Sequence, residues 1–551
     1  MVTSNACCLQ LHYTFLTAAF VAAVSLYTGT MKRSKIPSLV LKTAAKSSVL
    51  LFALLLVGAC SPPPNARTAV ATPTVPVTAA AAPEEGASAV APKPAADEPI
   101  SDEEAQRLMN DLTQFDSELV FDAIDRILKA DDQRFNAVFI ELIRAAQIGI
   151  VEAPQDTFAI ALEMLSGEAF GGNWPDWIEW YGGTDFVPPP GFTSWKGELL
   201  GEIDREFANF LKDEYPSRIR VEEIQWGGVR VDGIPALDQP AMIPADLAVY
   251  LQPDEAVFGL VINGDVRAYP LRIMDWHEMA NDTVGGVPVS IAYCTLCGAA
   301  IAYDGRASDG NTYDFGSSGF LFRSNKLMYD RQTRTLWNQL TGEPVLGELA
   351  DDEVTLDFFP IVLTTWADWQ AQHPDTLVLD PETGFNRPYE PGAAYADYFA
   401  SPELMFPVWN RSAKFEDKDQ VYAMRLEGIP KAYELDALAA EQVVNDSLAG
   451  TNLVLVSTRG LVNVSGRSVR QNRDRAYTAG SEVRAYERGD HQFVPTADPD
   501  VVSDEQGQRW QVTEAALVGE NGERLPRLSG HLAYWFGWYS FFPNTLVYPE
   551  A

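Results

Sequence analysis

Val257-Phe-Gly-Leu-Val-Ile-Asn-Gly-Asp-Val-Arg-Ala-Tyr-Pro-Leu271 and Val421-Tyr-Ala-Met-Arg-Leu-Glu-Gly-Ile-Pro-Lys-Ala-Tyr-Glu-Leu435 are two versions of one pattern, 164 residues apart when Tyr433 is set against Tyr269. In the first, Asn263-Gly264 separates two short β-type runs. That is a hairpin signal, because both central residues of a type I′ turn need positive φ. The same offset pairs Asn281-Asp282 with Asn445-Asp446, and Tyr313 and Gly316 with Tyr477 and Gly480. The register then drifts to 169, where Trp369 and Pro374-Asp-Thr-Leu-Val378 recur as Trp538 and Pro543-Asn-Thr-Leu-Val547. Residues 255–551 therefore read as a duplicated hairpin–helix–sheet unit packed about a pseudo-twofold axis. Residues kept in both copies are expected to serve the fold, with the two Asn-Asp pairs forming turns.

Working outward gives an α+β chain. The first β-rich repeat covers 219–385, a connector 386–418, and a second, degenerate repeat 419–551. Upstream, residues 101–218 read as helical hairpins of HEAT-like texture. Ser101 with Glu104 makes a capping box, and Leu108, Leu112, Phe115, Leu119, Ile124, Ile127 and Leu128 recur near helical spacing. Trp174, Trp177, Trp180 and Trp195 are expected to pack helices rather than cage a ligand. Such a layer could serve a protein partner.

Residues 1–59 read as an export region. They hold five basic and no acidic side chains, an apolar run Val49–Val57, and Val57-Gly58-Ala59-Cys60, which resembles a lipobox. The apolar run is too short to span a bilayer. The expected product is a lipoprotein acylated at Cys60, with Met31 as the true start, a membrane anchor through the lipid, and the outer membrane of the cell envelope as its address. Residues 60–100, rich in Ala and Pro, are a tether. A formal charge of -35 argues against a nucleic-acid partner.

The chemistry should lie where the two copies differ. The first alone carries Trp276-His277-Glu278 and Tyr293-Cys294-Thr-Leu-Cys297-Gly298; the positions 164 residues on from His277, Cys294 and Cys297 are Glu441, Thr458 and Leu461. Cys-x-x-Cys-Gly between β-type runs resembles the knuckle of rubredoxins and zinc ribbons, so Cys294 and Cys297 are candidate ligands of zinc or copper. His277, His531 and Glu278 are the candidates to complete the site. A thiol–disulfide redox pair and a structural disulfide in a non-catalytic envelope adaptor are the alternatives. Arg323, Lys326, Arg331 and Arg334 form a basic cluster beside Asp330 and Trp337, expected on the wet face of a hairpin, with Arg323, Asp330 and Trp337 as a candidate polar pocket. No nucleophile-elbow, Walker or dinucleotide fingerprint occurs, so no catalytic residue is assigned and no nucleotide cofactor is indicated.

Trp276-His277-Glu278 with Asn281-Asp282, the Tyr-Cys-x-x-Cys-Gly element, Tyr329-Asp330-Arg331 to Trp337, and Trp535-Phe536-x-Trp538 with Pro543-x-Thr545 together resemble a bacterial family catalogued as a domain of unknown function, number three-one-seven-nine. The resemblance spans about residues 220–550 and implies no settled activity. The helical region falls outside it.

Overall fold

Ser101 Oγ accepts the N–H of Glu104 at 3.2 Å and so caps the first helix, α1 (Asp102–Asp111). Asp116 caps α2 (Ser117–Ala130), and α3 (Asn136–Ile148), α4 (Gln155–Ser166), α5 (Trp174–Gly182), α6 (Phe192–Gly201) and the single turn α7 (Phe207–Phe210) follow. The apolar stripes of α1 to α6 share one core that buries Ile127, Phe139, Leu142, Phe158, Leu162 and Trp177, whereas Phe207 and Phe210 of α7 pack on Phe320 of the sheets. The tryptophans pack as expected of helix-layer residues: Trp177 Nε1 donates to Gly171 O and Trp195 Nε1 to Met109 O. Buried Lys196 pairs with Glu141 and donates to the Val221 carbonyl, joining this layer to the sheets.

The computed structural model describes residues 98–549 except Trp409, all within the compact unit 92–551. The export region, the lipidation site at Cys60 and nearly all of the tether lie outside the described residues. Among the described residues no helix is long and apolar enough to cross a membrane.

The strands begin with β1 (Ile224–Trp226), β2 (Leu237–Asp238) and β3 (Met242–Pro244). The quoted hairpin is β4 (Ala256–Ile262) and β5 (Asp265–Pro270), joined by Asn263 (φ 52°) and Gly264 (φ 82°) as the type I′ signal requires. Helix α8 (Leu271–His277) leads to β6 (Met279–Val284), β7 (Val287–Cys294) and β8 (Ala299–Ala307). Then come β9 (Phe315–Phe322), β10 (Asn325–Asp330), β11 (Leu336–Asn338), β12 (Glu343–Leu346), β13 (Leu356–Phe359), β14 (Val362–Thr365), α9 (Trp366–Gln372) and β15 (Leu377–Leu379). They form three five-stranded sheets, β14-β4-β5-β15-β3, β13-β8-β7-β6-β2 and β1-β9-β10-β11-β12.

After the short helix α10 (Ala396–Phe399), a similar succession follows. Hairpin β16 (Gln420–Leu426)–β17 (Ile429–Glu434) turns through Glu427 and Gly428, both at positive φ, and α11 (Leu435–Glu441) precedes β18 (Val443–Leu448) and β19 (Thr451–Val456). The hairpin β20 (Leu461–Ser468)–β21 (Arg473–Ser481) intervenes before β22 (Arg484–Glu487), β23 (Phe493–Pro495), β24 (Val501–Asp504), β25 (Arg509–Val512), β26 (Ala516–Gly519) and β27 (Arg524–Leu528). The chain ends with β28 (His531–Tyr534), α12 (Trp535–Tyr539) and β29 (Leu546–Tyr548). Here β28-β16-β17-β29 and the run β18-β19-β22-β27 have the same neighbours as β14-β4-β5-β15 and β6-β7-β8-β13. The chain is thus mixed α+β, with helices N-terminal and sheets C-terminal.

Several sequence matches fall on matching bonds. Tyr269 OH donates to Asp282 at 2.7 Å and Tyr433 OH to Asp446 at 2.8 Å; Trp369 Nε1 donates to Thr376 and Trp538 Nε1 to Thr545, both at 2.9 Å. The Asn-Asp pairs are not turns. They lie inside β6 and β18, where Asn281 accepts from and donates to the Phe315 backbone as Asn445 does with Phe493. Short polar side chains that bond a neighbouring strand's backbone are satisfied there without a turn. The match of Tyr313 and Gly316 with Tyr477 and Gly480 also fails. Tyr313 precedes β9, which pairs with β1 and β10, whereas Tyr477 and Gly480 belong to β21 and pair with β20. With the β20–β21 hairpin lying between, Phe493 follows Phe315 by 178 residues.

Candidate functional site

Strands β7 and β8 pair down to Cys294 and Ala299, so Thr295 to Gly298 make a tight turn, with Cys297 N–H on Cys294 O at 3.2 Å. The residues after the pair are strand, not helix. Gly298 has φ 62°, which favours glycine, and a Cβ there would sit 3.3 Å from the Tyr534 ring, a tight contact that the ring would have to yield to. The turn presents two free thiols, 1% and 0% exposed.

The sulfurs do not have equal surroundings. Cys297 Sγ lies 3.4 Å from the Ser324 carbonyl and 3.4 Å from Asn325 Nδ2. Asn325 in turn donates to Gln339, which donates to the backbone of Ala292 and Ala299 and fixes the amide against the turn. At Cys294 burial and the charge of Glu278 disfavour the thiolate, but hydrogen bonds from the Cys297 side chain and the backbone N–H groups of Lys326 and Cys297 favour it, and the balance holds Cys294 below the usual thiol range. Cys297 is pushed well up by burial and then by its bond to Cys294. The two thiols are thus shifted in opposite directions, Cys294 downward and Cys297 upward, with the Cys297 thiol also within reach of the Ser324 carbonyl at 3.4 Å.

Beside Cys294 is an enclosed ion pair. Glu278 ends α8 at φ 55°, and its carboxylate accepts from Thr295 Oγ1 at 2.8 Å and Tyr395 OH at 3.3 Å. Its other oxygen meets Lys326 Nζ at 3.1 Å, with the lysine side chain 4% exposed. These groups, with Cys294 and Met405, bound a cavity of about 50 Å³. Over it runs the segment between β15 and β16: Tyr398 OH bonds the Leu296 carbonyl at 2.7 Å and Ser324 Oγ bonds that of Pro407 at 3.0 Å.

Of the sequence candidates, the structure brings together Cys294, Cys297 and Glu278. His277 is turned away, with Nδ1 on Pro235 O at 2.8 Å and Nε2 on Tyr389 OH at 2.5 Å; burial lowers its pKa. His531 packs on Trp538 and has Nδ1 on Leu532 O, at a different cavity. Among the described residues no three or more His, Cys, Asp or Glu side chains are grouped so as to hold a metal. Arg323, Asp330 and Trp337 do not share a pocket. Arg323, in the β9–β10 turn, pairs with Glu223, while Asp330, at the far end of β10, binds Trp337 Nε1 at 2.9 Å. Six residues of strand separate the two ends by about 20 Å. Trp510 on Asp504 is the same arrangement in the later sheet, which marks it as architectural.

Sequence reasoning missed Lys326, Asn325, Thr295 and Tyr395. Lys326 was visible only within the basic cluster expected on a wet face. In fact β10 is buried along its length. An alternating strand with a lysine is the ordinary sign of an exposed face, and only the position of the cysteine turn reverses it.

Residues 231–545 match the sequence profile of a family described as Protein of unknown function (DUF3179). No curated protein and no solved structure matches the chain.

Proposed function

The chain belongs to the DUF3179 family, which carries no assigned activity, and we propose from its geometry that Cys294 and Cys297 form a thiol–disulfide exchange centre. The observation that carries this reading is the contact of two free, buried thiols in a Cys-x-x-Cys turn, with hydrogen-bond donors converging on Cys294. Cys294 is the attacking thiolate. It displaces one sulfur of a partner disulfide, forming a Cys294–partner mixed disulfide and releasing a partner thiolate. That thiolate takes the proton from Cys297, which then attacks Cys294, closes the Cys294–Cys297 disulfide and releases the second partner thiolate. The partner gains two electrons and the cysteine pair loses two. The Glu278 carboxylate, paired with Lys326, still opposes ionisation of both sulfurs, so it is the donors at Cys294 that favour its thiolate.

Cys297→Ala tests this, because without the second thiol the mixed disulfide should persist and be recovered as a reducible adduct of Cys294. Absence of any adduct in Cys297→Ala, with both thiols of the parent protein inert to a glutathione redox buffer, overturns the reading.

A second reading, binding of a soft metal such as copper, is favoured by Met405, whose thioether lines the same cavity as Cys294. Zinc fits less well, since no histidine nitrogen is free at the thiols. Stoichiometric copper in the purified protein that is lost in Cys294→Ser would establish it in place of exchange.

We also infer that residues 255–380 and 419–550 descend from one unit with pseudo-twofold symmetry, supported by the matching strand neighbours and Tyr–Asp, Asn–backbone and Trp–Thr bonds. The lipobox supports a lipid anchor at Cys60 in the cell envelope. Cys60→Ser should abolish acyl labelling and membrane retention; unchanged fractionation would refute it.

A further inference from the structure

A second opening, between the two β-rich halves, lies away from the cysteine turn. It is a cavity of about 540 Å³ whose walls come from both: Ile301, Leu340 and Phe358 on one side, Met424, Leu426 and Trp538 on the other. That volume is within the range of small-molecule pockets, which are apolar with few polar groups that fix orientation. Four polar side chains line it, of which Ser529 is bonded to the Phe358 carbonyl. Arg527 is neutralised by Glu514. His531 is held neutral at pH 7, since burial and then the charge of Arg425 push it down to about 4.

Arg425 is the exception. Its guanidinium carbon lies 5.1 Å from the Phe542 ring and 5.9 Å from that of Phe358, and among the described residues no carboxylate pairs with it. In a chain with 76 acidic and 41 basic residues, an arginine in an apolar pocket without an acid partner calls for an anion. Aromatic faces stabilise such a cation and leave its planar donor edge free for a bidentate acceptor.

We propose that this cavity binds an amphipathic monocarboxylate, with the carboxylate on Arg425 and the apolar body between Ile301, Leu340, Phe358 and Trp538. One uncompensated charge fits one anionic charge. Phosphate esters, carrying nearly two, would find the second arginine already occupied by Glu514. The inference is independent of the chemistry at Cys294.

Titration calorimetry of the full chain with decanoate, and with decanol as its uncharged counterpart, tests the assignment. Decanoate should bind one to one and more tightly than decanol. Arg425→Gln should weaken decanoate about tenfold or more, the loss expected for a charge-assisted bond, and leave decanol unchanged. Arg425→Lys should fall between. Leu426→Trp, at the half-buried rim, should block both ligands while keeping the melting temperature, so the test survives if Arg425→Gln folds poorly. No saturable decanoate binding, equal affinity for decanoate and decanol, or decanoate binding that survives Leu426→Trp overturns the proposal.

Discussion

Cys294 and Cys297 are chemically alike and three positions apart, yet their surroundings assign them different states. The donors around Cys294 hold its thiol below the usual range, and the Cys297 side chain is the largest of them. The rate of iodoacetamide modification at Cys294 should therefore rise through a transition below the free-thiol value of about 8.5. Cys297→Ala should move that transition upward, since a donor is lost. An unmoved profile would show that Cys297 does not hold the proton. His531 gives a second measurement at this scale. Its folded pKa, about 4, lies below its unfolded value of about 6.5, so the unfolded chain binds the extra proton between them. Stability falls as pH drops from 6.5 towards 4, by at most about 3 kcal/mol from this group. Urea unfolding at pH 7 and pH 5 should show a smaller loss in His531→Gln than in the parent protein. His277, also lowered, contributes the same sign to both proteins and cancels in the difference. Equal losses would mean that His531 is not buried as a neutral ring.

At the scale of elements, the cysteine turn closes a paired hairpin, and its cover is mostly irregular chain. Among the described residues between β15 and β16 only α10 is helical, and Tyr395, Tyr398 and Pro407 each make one hydrogen bond to the turn or its neighbours. On the proposed reading, a partner disulfide reaches the buried Cys294 when this segment lifts. One hydrogen bond contributes about 1 kcal/mol, so Tyr398→Phe should raise the open population, and the alkylation rate of Cys294, about fivefold. An unchanged rate would place the route of access elsewhere. The elements also show what could be read from the chain. The Asn263-Gly264 hairpin was legible because φ > 0 at two successive residues admits few side chains. The capping box at Ser101 was legible for a similarly local reason. His277 was misjudged as a neighbour of the thiols because sequence proximity says nothing about direction: α8 ends between His277 and Glu278, and the left-handed Glu278 turns its carboxylate towards Thr295 while His277 faces Pro235. Lys326 was illegible because its partner Glu278 is 48 positions away and the strand carrying it is covered on both sides.

For the whole molecule, the cysteine turn is completed by the other β-rich half. Tyr534 N–H bonds the Cys297 carbonyl at 2.7 Å, and the Tyr534 ring lies over Gly298. Helix α12 follows directly, and a Cβ at Gly537 would be 3.1 Å from Cys297 Cβ and 3.3 Å from its sulfur. In α9, which has the corresponding neighbours, the position before Trp369 is Asp368 and bonds Thr365 at the helix start. The small residue is thus needed only where the helix packs on a thiol. Gly537→Ala should be tolerated by the helix, since alanine is the better helix former. The added methyl must instead displace Cys297 by a few tenths of an ångström, with a cost of about 1–3 kcal/mol typical of an overpacked core. The decisive readout is not the stability loss, which any core contact would give, but the thiol. If the later half positions the sulfur pair, Gly537→Ala should shift the pH profile of Cys294 modification and slow closure of the Cys294–Cys297 disulfide. Gly530→Ala, which crowds the Tyr422 ring away from the turn, should lower stability without either change. Equal effects of the two variants on the thiols would confine the site's geometry to the first half.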